Sequence, residues 1–206
     1  LIEFKNNVYI DGAVGYDADL LPPLERALAE DKGPSIIFLH LNGSHGPYIF
    51  GCPEKFRKFA EREDQAMFGQ DIDARRVNSY DNTIYYTDYI LDEIIRRLEQ
   101  LQLPTSLLYF SDHGESVYLG KEHDPSDFGP GHVEVPLLLW FSSSYSAAYP
   151  ETVAQARAHA DSPFMLDSLS QLVMDWAHVD GPFYKPARSP LNANFVPAPR
   201  LTMDGS

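Results

Sequence analysis

Four of the seven histidines in this 206-residue chain lie where a histidine can do chemistry. His45 sits in Asn42-Gly43-Ser44-His45-Gly46-Pro47, just after the apolar run 35–41. His113 follows Asp112 at the end of the apolar run 107–110, and His123 and His132 lie in the polar stretch before a third run, 135–141. An Asp-His pair at the end of a rigid strand offers one divalent ion a hard oxygen and a borderline nitrogen, provided that the backbone turns sharply. Gly114 permits that turn. Read from the residues alone, the pair is equally compatible with an Asx turn. His45 is compatible with a hydrogen-bonded loop histidine, and His123 and His132 with solvated loop residues.

Those side chains need elements to hold them. The runs 35–41, 107–110 and 135–141 have strand length and are bounded by turn residues, so three buried strands are expected. Prolines at the start of 22–30 suit the first turn of a short helix. Phe56, Phe59, Ala60, Ala66 and Met67 predict an amphipathic surface helix. The strongest period runs over 79–101, where Ile84, Leu91, Ile94, Ile95, Leu98 and Leu101 share a stripe; Asp92–Arg96 and Glu93–Arg97 add i,i+4 ion pairs, and Pro104 ends the helix. Tyr80, Tyr85, Tyr86 and Tyr89 read as packing, and Asp81 as a cap. Ser162-Pro163 opens a further helix whose apolar face is Met165, Leu169, Leu172, Val173 and Trp176. Strands alternating with helices predict an α/β fold with a mostly parallel sheet covered on both faces, its loops converging at the carboxyl edge. Residues 1–180 read as one undivided catalytic portion, and the proline-rich 181–206 as an extended or disordered tail.

Composition narrows the function. Hydrophobic residues at 44% supply a core, and 30 acidic against 16 basic residues give a net charge of -14 that repels nucleic acid. No apolar run is long enough to span a bilayer, and Cys52, being alone, excludes an internal disulfide. Asn42-Gly43-Ser44-His45-Gly46 is one residue from G-x-S-x-G, but that elbow must run into a helix, which Pro47 opposes, so a serine hydrolase through Ser44 is disfavoured.

Five strings in order carry a resemblance: HLNGSHGPY ending at Tyr48, CPEKFRKF at 52–59, NSYDNTIYYTDYILDEII at 78–95, YFSDHGES at 109–116 and GHVEVPLLLW at 131–140. Together they resemble the periplasmic catalytic domain of bacterial phosphoethanolamine transferases, in the sulfatase and alkaline phosphatase superfamily. The resemblance implies a three-layer α/β/α sandwich, incomplete at its amino-terminal side, with Zn2+ (Mn2+ in some relatives) at the carboxyl edge of the sheet. Asp112 and His113 match the metal-binding pair, and His45 matches a histidine beside the substrate phosphate. A further histidine is expected after the pair. Relatives with Tyr-Leu-His-Gly there match poorly, since Tyr118-Leu119 runs into Gly120, so His123 and His132 both stand for it.

The nucleophile of the family is a threonine. It and an acidic metal ligand precede the SHGP motif in the family, and these residues match neither, nor the family's membrane helices. The resemblance therefore implies a carboxyl-terminal portion, silent by itself, of an inner-membrane enzyme with a periplasmic catalytic domain. The implied donor is phosphatidylethanolamine, and the implied acceptor a lipid A, core-sugar or glycan. Rival readings are a sulfatase or phosphoglycerol transferase of the same superfamily, and a non-catalytic domain that keeps the fold.

Overall fold

Helix α2, Ala74–Gln100, is the longest element of the computed structural model, which describes residues 15–30, 33–59, 74–119 and 128–201. Its buried face is a ladder of i,i+4 steps: Tyr86, Ile90, Ile94 and Leu98 are all buried, with Val77, Asn82 and Thr83 continuing it toward the amino end. The apolar stripe expected from the aliphatics alone is therefore rotated, and Ile84 lies 47% exposed. Tyrosine and threonine occupy the inner face because their hydroxyls find partners: Ala18 N–H donates to the Tyr86 hydroxyl (3.1 Å), and Thr83 Oγ1 donates to the Tyr80 carbonyl (2.6 Å). Asp81 lies inside this helix and so caps nothing; its carboxylate accepts the Tyr118 hydroxyl at 2.5 Å.

The described residues fall into two compact units. One unit draws on Leu1–Arg97 and Glu115–Asp127, the other on Leu98–Gly114 and Phe128–Ser206. In the first, α1 (Leu21–Glu30) buries Leu21 and Leu24, and Arg97 of α2 ties Glu93 and Glu25 at 2.8 Å each. Tyr48, Val77 and Val117 form a small core there with Tyr80 against it.

The second unit is built on a two-stranded sheet. Strand β1 (Ser106–Phe110) pairs with β2 (Leu137–Phe141) from Ser106 opposite Phe141 to Phe110 opposite Leu137. The pairing is antiparallel, against the parallel arrangement that strand–helix alternation predicts. Only short 3-10 turns are described between β1 and β2, and no full crossover helix. The register sets the carboxyl end of β1 beside the amino end of β2, which brings the segments after 110 and before 137 to one edge. Helices α3 (Ser143–Ala148), α4 (Pro150–Ala158) and α5 (Leu169–Trp176) follow. Ser142 caps α3 through the Tyr145 N–H, and Trp176 Nε1 donates to Ser106 Oγ (2.7 Å), fastening α5 to β1. The last helix starts at Leu169, not at Ser162-Pro163.

One further expectation fails. The run 35–41 is no strand: among the described residues no strand pairs with it, and Ile36 and Phe38 are 48% and 83% exposed. Through Leu201 the proline-rich tail is irregular backbone with one 3-10 turn, Pro186–Arg188. Ser189 and Leu191 are buried, Tyr184 donates to Asp175 (2.5 Å), and Arg188 pairs with Asp167. Proline excludes helix there but leaves irregular backbone that side chains pin down. Of the expected helix 56–67, residues 57–59 are not helical and 60–67 lie outside the described residues.

Candidate metal and phosphate site

Strand β1 delivers Asp112 and His113 to the sheet edge two residues after Phe110. The turn is tied locally: Asp112 Oδ1 accepts the His113 N–H (3.1 Å), and Ser111 Oγ donates to the His113 carbonyl (2.7 Å). Asp112 thus bonds the next residue and not the one two on, so this is no Asx turn, and the Asp112 side chain remains exposed. His113 Nδ1 lies 3.2 Å from the Gly114 carbonyl. A carbonyl only accepts, so the proton sits on Nδ1 and Nε2 carries the lone pair. This is the backbone-oriented tautomer in which imidazole binds metals. An exposed carboxylate beside an imidazole presenting Nε2 suits zinc. Among the described residues no group of three or more His, Cys, Asp or Glu is placed to hold an ion, so these two are at most a partial ligand set.

Gly114 clasps this turn to the segment before β2. Its N–H donates to the His132 carbonyl (2.9 Å), and a Cβ at this position would lie 2.1 Å from the Gly131 carbonyl oxygen. Backbone meets backbone, so neither side yields cheaply. Gly114→Ala is expected to break the clasp, cost about 1–3 kcal/mol of stability and weaken zinc retention by roughly tenfold, although no ligand is removed. Isothermal titration with zinc beside a urea titration checks this; unchanged values in both would mean that the clasp positions nothing.

His132 itself is 7% exposed. Its Nδ1 accepts the Gly129 N–H (3.3 Å), which places the proton of the neutral ring on Nε2. That Nε2 is buried without a hydrogen-bond partner among the described residues. A buried donor left unpaired is costly, and an anionic oxygen satisfies it well.

His45 belongs to the other unit and is exposed, on a turn that Asp17 holds. The N–H groups of Asn42 and Gly43 donate to Asp17 Oδ1 and Oδ2 (2.8 and 3.0 Å), Gly43 takes φ +51°, and the His45 N–H donates to the Asn42 carbonyl (3.2 Å). Burial pushes the Asp17 carboxyl up, partly offset by those two donors. His45 Nδ1 lies 2.6 Å from the Gly46 carbonyl, so here too Nε2 bears the lone pair. Pro47 follows through a cis bond, then a 3-10 turn Tyr48–Phe50. No helix follows Ser44, which removes the nucleophile-elbow reading. Tyr48 is buried with the Arg76 guanidinium 6.0 Å over its ring, and burial together with the nearby Glu115 carboxylate pushes its phenol well up.

Of the four histidines singled out, only His132 joins Asp112 and His113 in one unit, and His123 lies outside the described residues. His40 is exposed, not a core residue; His159 Nδ1 meets the Pro190 carbonyl (2.8 Å), and His178 stacks on Tyr149. The sequence reading missed Asp17, whose role depends on a turn 25 residues away and leaves no local signal.

The family model for Sulfatase matches residues 3–178. The chain belongs to the sulfatase family. It is 35% identical over 183 residues to the phosphoethanolamine transferase EptA of Escherichia coli, covering 84% of this chain and 33% of that protein. It is 29% identical over 201 residues to the phosphoethanolamine transferase EptC of Escherichia coli, covering 93% and 34%. The chain thus spans about a third of the length of these curated relatives. Among solved structures, the C-terminal periplasmic domain of EptC from Escherichia coli in complex with Zn superposes with a TM-score of 0.81 at 27% identity, over 94% of this chain and 55% of that one. The soluble domain of lipooligosaccharide phosphoethanolamine transferase A from Neisseria meningitidis superposes with a TM-score of 0.74 at 26% identity, over 89% and 57%. The α/β fold of these sulfatase-like domains is the fold of this chain. No described helix is long and apolar enough to cross a membrane.

Proposed function

We propose that this sulfatase-family chain is part of the periplasmic catalytic domain of an inner-membrane enzyme that moves phosphoethanolamine from phosphatidylethanolamine to a lipid A, core-sugar or glycan hydroxyl. The observation that carries the reading is the Asp112-His113-Gly114 turn, whose backbone selects the metal-binding tautomer of His113. Relatives named phosphoethanolamine transferases, one of them solved with Zn, support it.

Asp112 and His113 Nε2 would hold Zn2+, with Mn2+ as the substitute. Bound there, the metal lowers the pKa of a hydroxyl nucleophile and polarises a phosphoryl oxygen. The family pattern makes that nucleophile a threonine from the part of the domain preceding the SHGP motif. Attack on the phosphodiester forms a threonine–phosphoethanolamine bond and releases diacylglycerol, and the acceptor hydroxyl then takes the group from threonine. His132 donates its Nε2 proton as a hydrogen bond to a phosphoryl oxygen. His45, through its match to the histidine of the SHGP motif, is assigned the proton of the hydroxyl that attacks or leaves. His123 is the other histidine that the motif order offers for the phosphate.

Full-length enzyme incubated with phosphatidylethanolamine and lipid A is expected to yield acceptor carrying phosphoethanolamine by mass spectrometry, with chelation stopping the reaction. The second reading, sulfate-ester hydrolysis, is favoured by the family model's description. Turnover of an aryl sulfate with none of phosphatidylethanolamine would decide for it.

A further inference from the structure

On the His45 side of the molecule, one patch runs against the charge of the rest. The chain carries a net charge of -14, yet Lys55, Arg57 and Lys58 stand within four consecutive residues, all three exposed. Beside them the 3-10 turn Tyr48–Phe50 turns two apolar side chains outward, Ile49 and Phe50, at 54% and 56% exposure. The two groups are joined, because Arg57 Nη2 donates to the Ile49 carbonyl (3.0 Å).

The patch is held from below. Phe56 is buried 4.7 Å from the ring of Tyr86 on α2, and the Phe59 N–H donates to Asn82 Oδ1 (2.8 Å). The lysine stems lie on aromatic rings: Lys55 Nζ is 5.0 Å from the Phe56 ring centre, and Lys58 Nζ 5.2 Å from that of Tyr85. Cations beside aromatic rings and next to exposed apolar tips are what a headgroup–acyl boundary rewards. The tips enter the apolar layer while the ammonium and guanidinium groups meet phosphates.

We infer that Ile49, Phe50, Lys55, Arg57 and Lys58 form a docking surface for an anionic phospholipid bilayer, which seats the His45 turn at the lipid–water boundary. Nucleic acid fits the cations but leaves Ile49 and Phe50 bare. The inference stands apart from the reaction proposed above, because it needs no catalysis.

Co-sedimentation of the chain with vesicles of phosphatidylethanolamine and phosphatidylglycerol, beside vesicles of phosphatidylcholine alone, tests it without reading turnover. Binding to the anionic vesicles is expected to weaken with added salt. Combined Lys55→Ser, Arg57→Ser and Lys58→Ser should lower it roughly hundredfold, at about a factor of five for each cation. Combined Ile49→Ser and Phe50→Ser should lower it roughly tenfold or more. All five side chains are exposed, and circular dichroism verifies that both variants fold. Wild-type binding by either variant, or equal binding to phosphatidylcholine, overturns the inference. So does absence of vesicle binding together with self-association that Ile49→Ser and Phe50→Ser abolish, which would assign the patch to a second copy.

Discussion

Asp112→Ala in the full-length enzyme is expected to lose bound zinc and transferase activity together, with turnover down by roughly a hundredfold to a thousandfold. The loss follows from charge and geometry. Asp112 is the exposed carboxylate beside the Nε2-presenting His113, and with only two partial ligands here the ion depends on each of them. Alanine, however, also deletes the acceptor for the His113 N–H, so it tests turn and ligand at once. Asp112→Asn separates them. The amide oxygen keeps the hydrogen bond to the His113 N–H and hence the turn, but it removes the negative charge that makes carboxylate a good zinc ligand. Both variants should therefore emerge with depleted zinc by plasma emission spectroscopy. Full zinc content in Asp112→Asn would reduce Asp112 to a residue that only ties the local turn.

His45→Ala is expected to split the same two measurements, retaining zinc while turnover falls about a hundredfold. Its turn does not depend on the imidazole, because Asp17 takes the N–H groups of Asn42 and Gly43 whatever stands at position 45. Fold and ion should thus survive, and what disappears is the Nε2 lone pair that remains when the Gly46 carbonyl holds the proton on Nδ1. Zinc content together with steady-state turnover of phosphatidylethanolamine reads both effects. Wild-type turnover would leave His45 as a loop residue bonded to its neighbour's carbonyl.

How much of this was legible in the chain differs by element. Strands β1 and β2 were readable because Leu107–Phe110 and Leu137–Phe141 are short apolar runs closed by polar turns, and α2 because its period persists for many turns. The direction of pairing was not readable, since strand order carries no sign of whether the return is parallel. The face of α2 was misjudged for a chemical reason: counting aliphatics favoured Ile84, whereas Tyr86 and Thr83 are the buried residues and settle their hydroxyls on Ala18 and Tyr80. At the site, Asp112, His113 and His45 were named from motif and resemblance. Their tautomers were beyond sequence, because they depend on which carbonyl lies within reach of Nδ1. Asp17 and the clasp from Gly114 to His132 join positions distant along the chain, so no window of residues reports them.

The clasp has an evolutionary corollary. Its two ends are fixed by the β1–β2 register and by one bond from Gly114 to His132, none of which passes through the chain between Leu119 and Phe128. The corner that carries Asp112 and His113 is therefore a backbone joint, whose upkeep asks for glycine at 114 and, through the carbonyl it uses, for no particular side chain at 132.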